Sequence, residues 1–126
     1  MNRILIADDS EDLLEILKIT LSEEGYEVKS TINKREFLAS IKDFAPNLIL
    51  LDVFLNEIDG RELCKQLKTN SRTKHIPIIL FSANPYAIAA YKQFGADDCI
   101  NKPFEIDLLL SKVGAQLHDH SYKRAS

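Results

Sequence analysis

The 126-residue chain is 45% hydrophobic and 28% charged, a size and balance that suit one domain able to bury its own core. A formal net charge of −3 with a pI near 5.6 offers no long-range attraction to a phosphate backbone, so direct nucleic-acid binding is not expected. No apolar stretch reaches the roughly 18 residues needed to cross a bilayer, and Met1-Asn2-Arg3 runs into an apolar segment without a cationic leader, so a cytoplasmic protein with no membrane insertion is the expectation.

The first apolar run, Arg3-Ile4-Leu5-Ile6-Ala7, is too short and too uniformly apolar for an amphipathic helix and reads as a buried strand, followed at once by Asp8-Asp9. Leu13, Leu14, Leu17, Thr20 and Leu21 then form one helical stripe, closed by Gly25. Tyr26 to Ser30 alternates as a half-exposed strand, and a helix over Lys34 to Phe44 places Phe37, Leu38 and Ile41 on one face before Pro46 stops it. Asn47 to Leu51 is a second buried strand, followed by Asp52. Asp59-Gly60 turns into a helix carrying Leu63, Cys64 and Leu67, and the polar stretch Thr69 to Lys74 leads to a strand over Pro77 to Phe81, followed by Ser82.

Asn84 as cap and Pro85 in the first turn predict a fourth helix running to Phe94, ended by Gly95. Asp98 to Asn101 is the last strand, followed by Lys102-Pro103. The last helix has Glu105 and Asp107 near its positive end and is expected to bury Ile106, Leu109, Leu110 and Val113, with Leu117 beside them, before the polar residues from His118 to Ser126. Cys64 and Cys99 lack metal-type spacing and read as small buried apolar residues in a reducing compartment. Strict alternation of strand and helix implies a parallel sheet covered on both faces.

In such a sheet ligands bind outside the carboxyl ends of the strands, where the pattern places Asp8, Asp9, Asp52, Ser82 and Lys102. Taken singly, each has an ordinary explanation: a helix cap for Asp9, a solvated loop carboxylate for Asp52, a loop hydroxyl for Ser82, a turn residue for Lys102. Taken together they form a constellation. Three converging carboxylates repel one another unless a divalent cation neutralises them, and oxygen ligands alone point to magnesium or manganese. A lysine facing them can neutralise a transferred phosphoryl oxygen.

These residues, in this order, resemble the receiver domain of two-component response regulators, through the segments ILIADDS, LILLDVFLNEIDG, IILFSA and GADDCINKPF. The likeness covers residues 1–118, leaving 119–126 as a polar tail, and reads as a stand-alone receiver. It implies a flavodoxin-like (βα)5 doubly wound parallel sheet of strand order 2-1-3-4-5. It also implies that Asp52 accepts a phosphoryl group from a sensor histidine kinase or histidine phosphotransfer protein. Asp9, Asp52 and the backbone carbonyl of Phe54 would hold Mg2+, with Asp8 reaching it through water; Ser82 and Lys102 would contact phosphoryl oxygens, and the Lys102-Pro103 bond would be cis.

A receiver catalyses only its own phosphorylation and slow dephosphorylation, and would signal to a downstream protein through the face of helix 4, strand 5 and helix 5, with Tyr86, Tyr91 and Leu108 as exposed contacts. Three departures stand out. Leu55-Asn56 replaces the family's common Met-Pro, Cys99 occupies the place of the switch aromatic, and the stretch from Ser82 to Gly95 looks short. An interaction module that uses the fold without phosphorylation is the alternative. A phosphohydrolase fits poorly, because Asp52-Val53-Phe54 has no second carboxylate two residues on to act as general acid.

Overall fold

The computed structural model describes residues 2–56 and 58–118; the expected tail, 119–126, lies outside them. Three strands lie in the middle of the sheet and are almost wholly buried: β1 (Arg3–Ala7), β3 (Leu48–Asp52) and, numbering two short strands between them, β6 (Ile78–Ser82). The edges are β2 (Glu27–Thr31) and β7 (Asp98–Asn101), whose burial is mixed. All pairings in this five-stranded sheet are parallel, in the order β2-β1-β3-β6-β7. Counting these five alone, that is the expected 2-1-3-4-5.

Because side chains alternate across a strand, each central strand feeds two cores. Leu5, Ile49, Leu51, Ile78 and Leu80 pack with Phe37 of α2 (Lys34–Asp43), with Leu63, Cys64 and Leu67 of α3 (Gly60–Thr69), and with Ile88 of α4 (Pro85–Ile88). Ile4, Ile6, Leu48, Leu50, Ile79 and Phe81 pack on the other face with Leu14, Leu17 and Leu21 of α1 (Glu11–Glu23) and with Leu109, Leu110 and Val113 of α5 (Ile106–Gln116). Polar caps start the helices as their sequences require: Ser10, Asn33, Asp59 and Asn84 each accept a backbone N–H of the first turn. None of the helices among the described residues is long and apolar enough to cross a membrane.

Several details differ from the sequence reading. Asp52 and Ser82 are the last residues of their strands, so both are held by the sheet rather than by the loops after it. A two-stranded hairpin, β4 (Phe54–Leu55) and β5 (Ile58–Asp59), follows β3. Leu38 is 42% exposed and Ile106 39% exposed, because Phe37 and Ser40 take the buried line of α2 and Ile106 stands at the very start of α5. Cys64 is buried as expected, whereas Cys99 is half-buried at the sheet edge. Tyr91, expected exposed, packs half-buried against the α2–α3 core.

The expected single helix from Pro85 to Phe94 is interrupted. It ends at Ile88, and a 3-10 helix over Tyr91–Phe94 follows before Gly95 at φ 84°. Ala89 and Ala90 are good helix formers, so propensity does not explain the break. The Ala87 carbonyl, which a continuing helix would offer to the Tyr91 N–H, instead faces Arg61 Nη1 at 3.5 Å. The same guanidinium is paired with Asp59 at 3.1 Å and lies 5.4 Å from the centroid of the Phe94 ring. A tertiary contact from α3 thus stands where the helix would place a local hydrogen bond.

The junction between β3 and α3 is tight. Gly60 N–H donates to the Val53 carbonyl at 2.5 Å, and a Cβ at Gly60 would strike the carbonyl oxygen of Asp52. Backbone has little room to yield there. Gly60→Ala is therefore expected to destabilise the fold by about 2–3 kcal/mol in urea unfolding; a loss below about 0.5 kcal/mol would show that the junction moves freely.

Candidate functional site

The carboxyl ends of β1, β3, β6 and β7 bring the predicted residues to one rim. Asp8 follows β1 directly and is wholly buried; its N–H donates to the Thr31 carbonyl at 3.1 Å. Its Oδ1 accepts the Ser10 N–H at 2.8 Å, and its Oδ2 accepts Lys102 Nζ at 2.5 Å. Asp52, only 6% exposed, accepts the Phe54 N–H on Oδ1 at 3.1 Å and lies 3.5 Å from Lys102 Nζ through Oδ2. Lys102 therefore touches both buried carboxylates. Its ammonium also lies 4.6 Å from the centroid of the Phe81 ring, and its N–H donates to the Ser82 carbonyl at 2.8 Å. The Lys102-Pro103 peptide bond is cis, as expected.

Asp9 differs from its neighbour in being exposed. One carboxylate oxygen from each of Asp8, Asp9 and Asp52 lies within 4.8 Å of the others, and an open cleft of about 390 Å3 beside them is lined by Asp9, Ser10, Glu11, Asp12, Ile32, Asn33 and Asn56. Three clustered carboxylates with one ammonium, which meets Asp8 and Asp52, leave an excess of negative charge, and the donors are hard oxygens beside an open cleft. Such a set fits magnesium, which keeps several waters and takes one or two carboxylates directly. Phe54 is placed by its N–H to Asp52 and is 49% exposed. Ser82 is buried at the end of β6, where its Oγ accepts the Asn84 N–H at 3.1 Å. Its hydroxyl is thus turned toward the start of α4.

Sequence reasoning missed three participants. Thr31 receives the Asp8 N–H, and its own hydroxyl donates to the Ile6 carbonyl at 2.9 Å. Phe81, an apparent core residue, supplies a ring face to the lysine. Asn56 donates its N–H to Asp9 Oδ2 at 3.3 Å. The signal for Asn56 was its departure from the family's Met-Pro; nothing local marked the other two.

Burial, followed by the charge of Asp8, raises the Asp52 carboxyl from 3.8 to about 6, outweighing Lys102 and the Phe54 N–H. The folded state then binds a proton more tightly than the unfolded chain, so the cost of ionised Asp52 sets in as pH rises from about 4 to about 6. In metal-free buffer Asp52→Asn should be more stable than the wild type at pH 7, by at most about 3 kcal/mol. Below pH 4 that advantage should vanish. Urea unfolding of both proteins at the two pH values checks this, and a difference that does not change with pH would show that Asp52 is not the strained group.

Comparison with known proteins agrees with this geometry. The family model described as the response regulator receiver domain matches residues 4–114. The chain is 34% identical over 119 residues to the DNA-binding dual master transcriptional regulator RpaA of Synechocystis, covering 93% of this chain and 49% of that protein. It is 35% identical over 125 residues to the response regulator ArlR of Staphylococcus saprophyticus, covering 98% of this chain and 56% of that one. The chain thus spans about half the length of these curated relatives. A crystal structure of a putative response regulator from Chloroflexus aurantiacus superposes with a TM-score of 0.86 at 34% identity, covering 93% of this chain and 98% of that one. For the chemotaxis response regulator CheY4 of Vibrio cholerae the TM-score is 0.82 at 29% identity, over 92% and 98%. By fold, by rim residues and by these matches, the chain belongs to the response regulator receiver domain family.

Proposed function

We propose that residues 1–118 form a phosphoacceptor module in which Asp52 takes a phosphoryl group from a sensor histidine kinase or a histidine phosphotransfer protein. The observation that carries this reading is the placement of Asp52 at the end of β3, beside Asp8 and within 3.5 Å of the Lys102 ammonium. An ionised Asp52 oxygen attacks phosphorus, the bond from phosphorus to the donor imidazole nitrogen breaks, and the electron pair leaves with the imidazole. With its carboxyl near 6, Asp52 is mostly ionised at neutral pH and so available as nucleophile. Lys102 stands ready to follow the charge from the carboxylate to the phosphoryl oxygens, while Ser82 Oγ can turn from Asn84 to donate to one of them.

Asp9, Asp52 and the Phe54 carbonyl are the proposed protein ligands of Mg2+ or Mn2+, with Asp8 contributing through water; the bound cation supplies charge neutralisation on the phosphoryl group. The protein turns over no separate substrate in this reading, beyond its own phosphorylation and slow dephosphorylation. The free thiols of Cys64 and Cys99 suit the reducing cytoplasm.

Output is proposed to be a protein contact on the face of α4, β7 and α5 rather than a nucleic-acid contact. Tyr86 is 88% exposed and Leu108 47% exposed on that face, while Cys99 on β7 is too small to alternate between buried and exposed aromatic positions. The moving part is then the segment from Ser82 to Tyr86, because Ser82 Oγ is bonded to the Asn84 N–H and the Asn84 side chain caps α4 at Tyr86. Rotation of the hydroxyl toward a phosphoryl oxygen frees the start of that helix.

Incubation with acetyl phosphate and magnesium should add one phosphoryl group to the wild type by intact mass, and none to Asp52→Asn. Modification that persists in the variant removes Asp52 from its role. Ser82→Ala should still be phosphorylated, but with beryllofluoride it should lose most of the change in amide exchange around Asn84 to Tyr86. A full wild-type response in that variant would exclude the hydroxyl as the coupling element.

A further inference from the structure

Asn56 stands where the family pattern has proline, and its backbone is left-handed at φ 56°. Proline cannot take its place in this loop, because its ring fixes φ near −65° and it has no N–H to donate. Both properties are used here. The Asn56 N–H donates to Asp9 Oδ2 at 3.3 Å, and the side-chain Nδ2 donates to the Ile32 carbonyl at 2.8 Å. One residue of the β3–α3 connection is thereby tied to the loop after β1 and to the loop after β2. Asp9 is the exposed member of the acidic cluster, and among the described residues no other hydrogen bond reaches its carboxylate.

We propose that Asn56 is a positioning residue that holds the Asp9 carboxylate toward Asp8 and Asp52 and so sets the affinity of the site for a divalent cation. This rests on the reading of the acidic cluster as a magnesium site. Asp8 is fixed by Ser10 and Lys102, and Asp52 by Phe54 and Lys102. Asp9 lacks such anchors, and its approach to the other two depends on a loop. The Asn56 amide holds that loop at Ile32, while asparagine tolerates the left-handed backbone that aims the N–H at Asp9. Ordering a ligand before the cation arrives lowers the entropy lost on binding, so the brace acts on affinity as well as on shape.

Two variants separate the backbone from the side chain. Asn56→Gly keeps the left-handed backbone and the N–H but loses the bond to Ile32; Asn56→Ala loses that bond and disfavours the backbone as well. Amide NMR titration with magnesium should give a Kd about threefold weaker for Asn56→Gly and about tenfold weaker for Asn56→Ala. In the metal-free proteins, exchange of the residue 56 amide should quicken in the same order. Asp9→Asn should cost less affinity in the Asn56→Ala background than in the wild type, since the brace acts through that carboxylate.

Equal affinities in the three proteins would overturn the inference while leaving the cation site standing. A wild type that binds no magnesium would overturn the site itself and the inference with it. Weakened binding with fully additive Asp9→Asn losses would show general softening of the loop, and would also overturn the role assigned to Asn56.

Discussion

Two buried carboxylates at the ends of adjacent central strands share one lysine, and the rim of the sheet is organised around that balance of charge. Asp8 is fully buried and Asp52 nearly so, and a carboxylate in such a place is costly unless it is paired and hydrogen-bonded. Lys102 reaches both, from the loop after the outermost strand on that side. The balance is incomplete, since one ammonium meets Asp8 and Asp52 while the carboxylate of Asp9 lies within 4.8 Å of theirs. Burial and repulsion by Asp8 leave Asp52 with a raised affinity for protons, and the same excess of negative charge favours any cation or electrophile that relieves it.

The sheet holds this unfavourable arrangement because its strands are locked by two cores, one on each face. The strands β3 and β6 supply the positions of Asp52 and Ser82, while loops supply Asp8, Asp9, Asn56 and Lys102. The Gly60 junction presses the start of α3 against the carbonyl of Asp52, so Asp52 and the first turn of α3 are in direct backbone contact. Arg61, one residue further on, contacts Asp59, Ala87 and Phe94. The segment from Pro85 to Phe94 thus meets α3 through this guanidinium as well as through the apolar packing of Ile88 and Tyr91, and its helical hydrogen bonding is interrupted. Such a segment is less cooperative than a continuous helix and moves at lower cost.

Most of the architecture was legible in the sequence. Uniformly apolar runs ending in Asp8-Asp9, Asp52, Ser82 and Lys102, separated by amphipathic stretches with polar caps, define alternating strands and helices, and the right-handed crossover rule then leaves few topologies. The family resemblance supplied the strand order and the roles expected of the rim residues. Local chemistry was sufficient for these features because burial pattern, capping and turn preference all act over a few residues.

What tertiary structure alone decided depends on contacts between distant segments. The break after Ile88 could not be read from Ala89-Ala90, which favour a helix; it coincides with the approach of Arg61 to the Ala87 carbonyl. Leu38 looked like a core residue from its spacing, yet the neighbouring line of α2 faces the sheet. Phe81 became a partner of Lys102 only when the last strand paired with β6, and Asn56 became a partner of Asp9 only when two loops far apart in sequence met. Sequence periodicity states which face of an element is apolar; which distant group stands opposite it is a property of the folded chain.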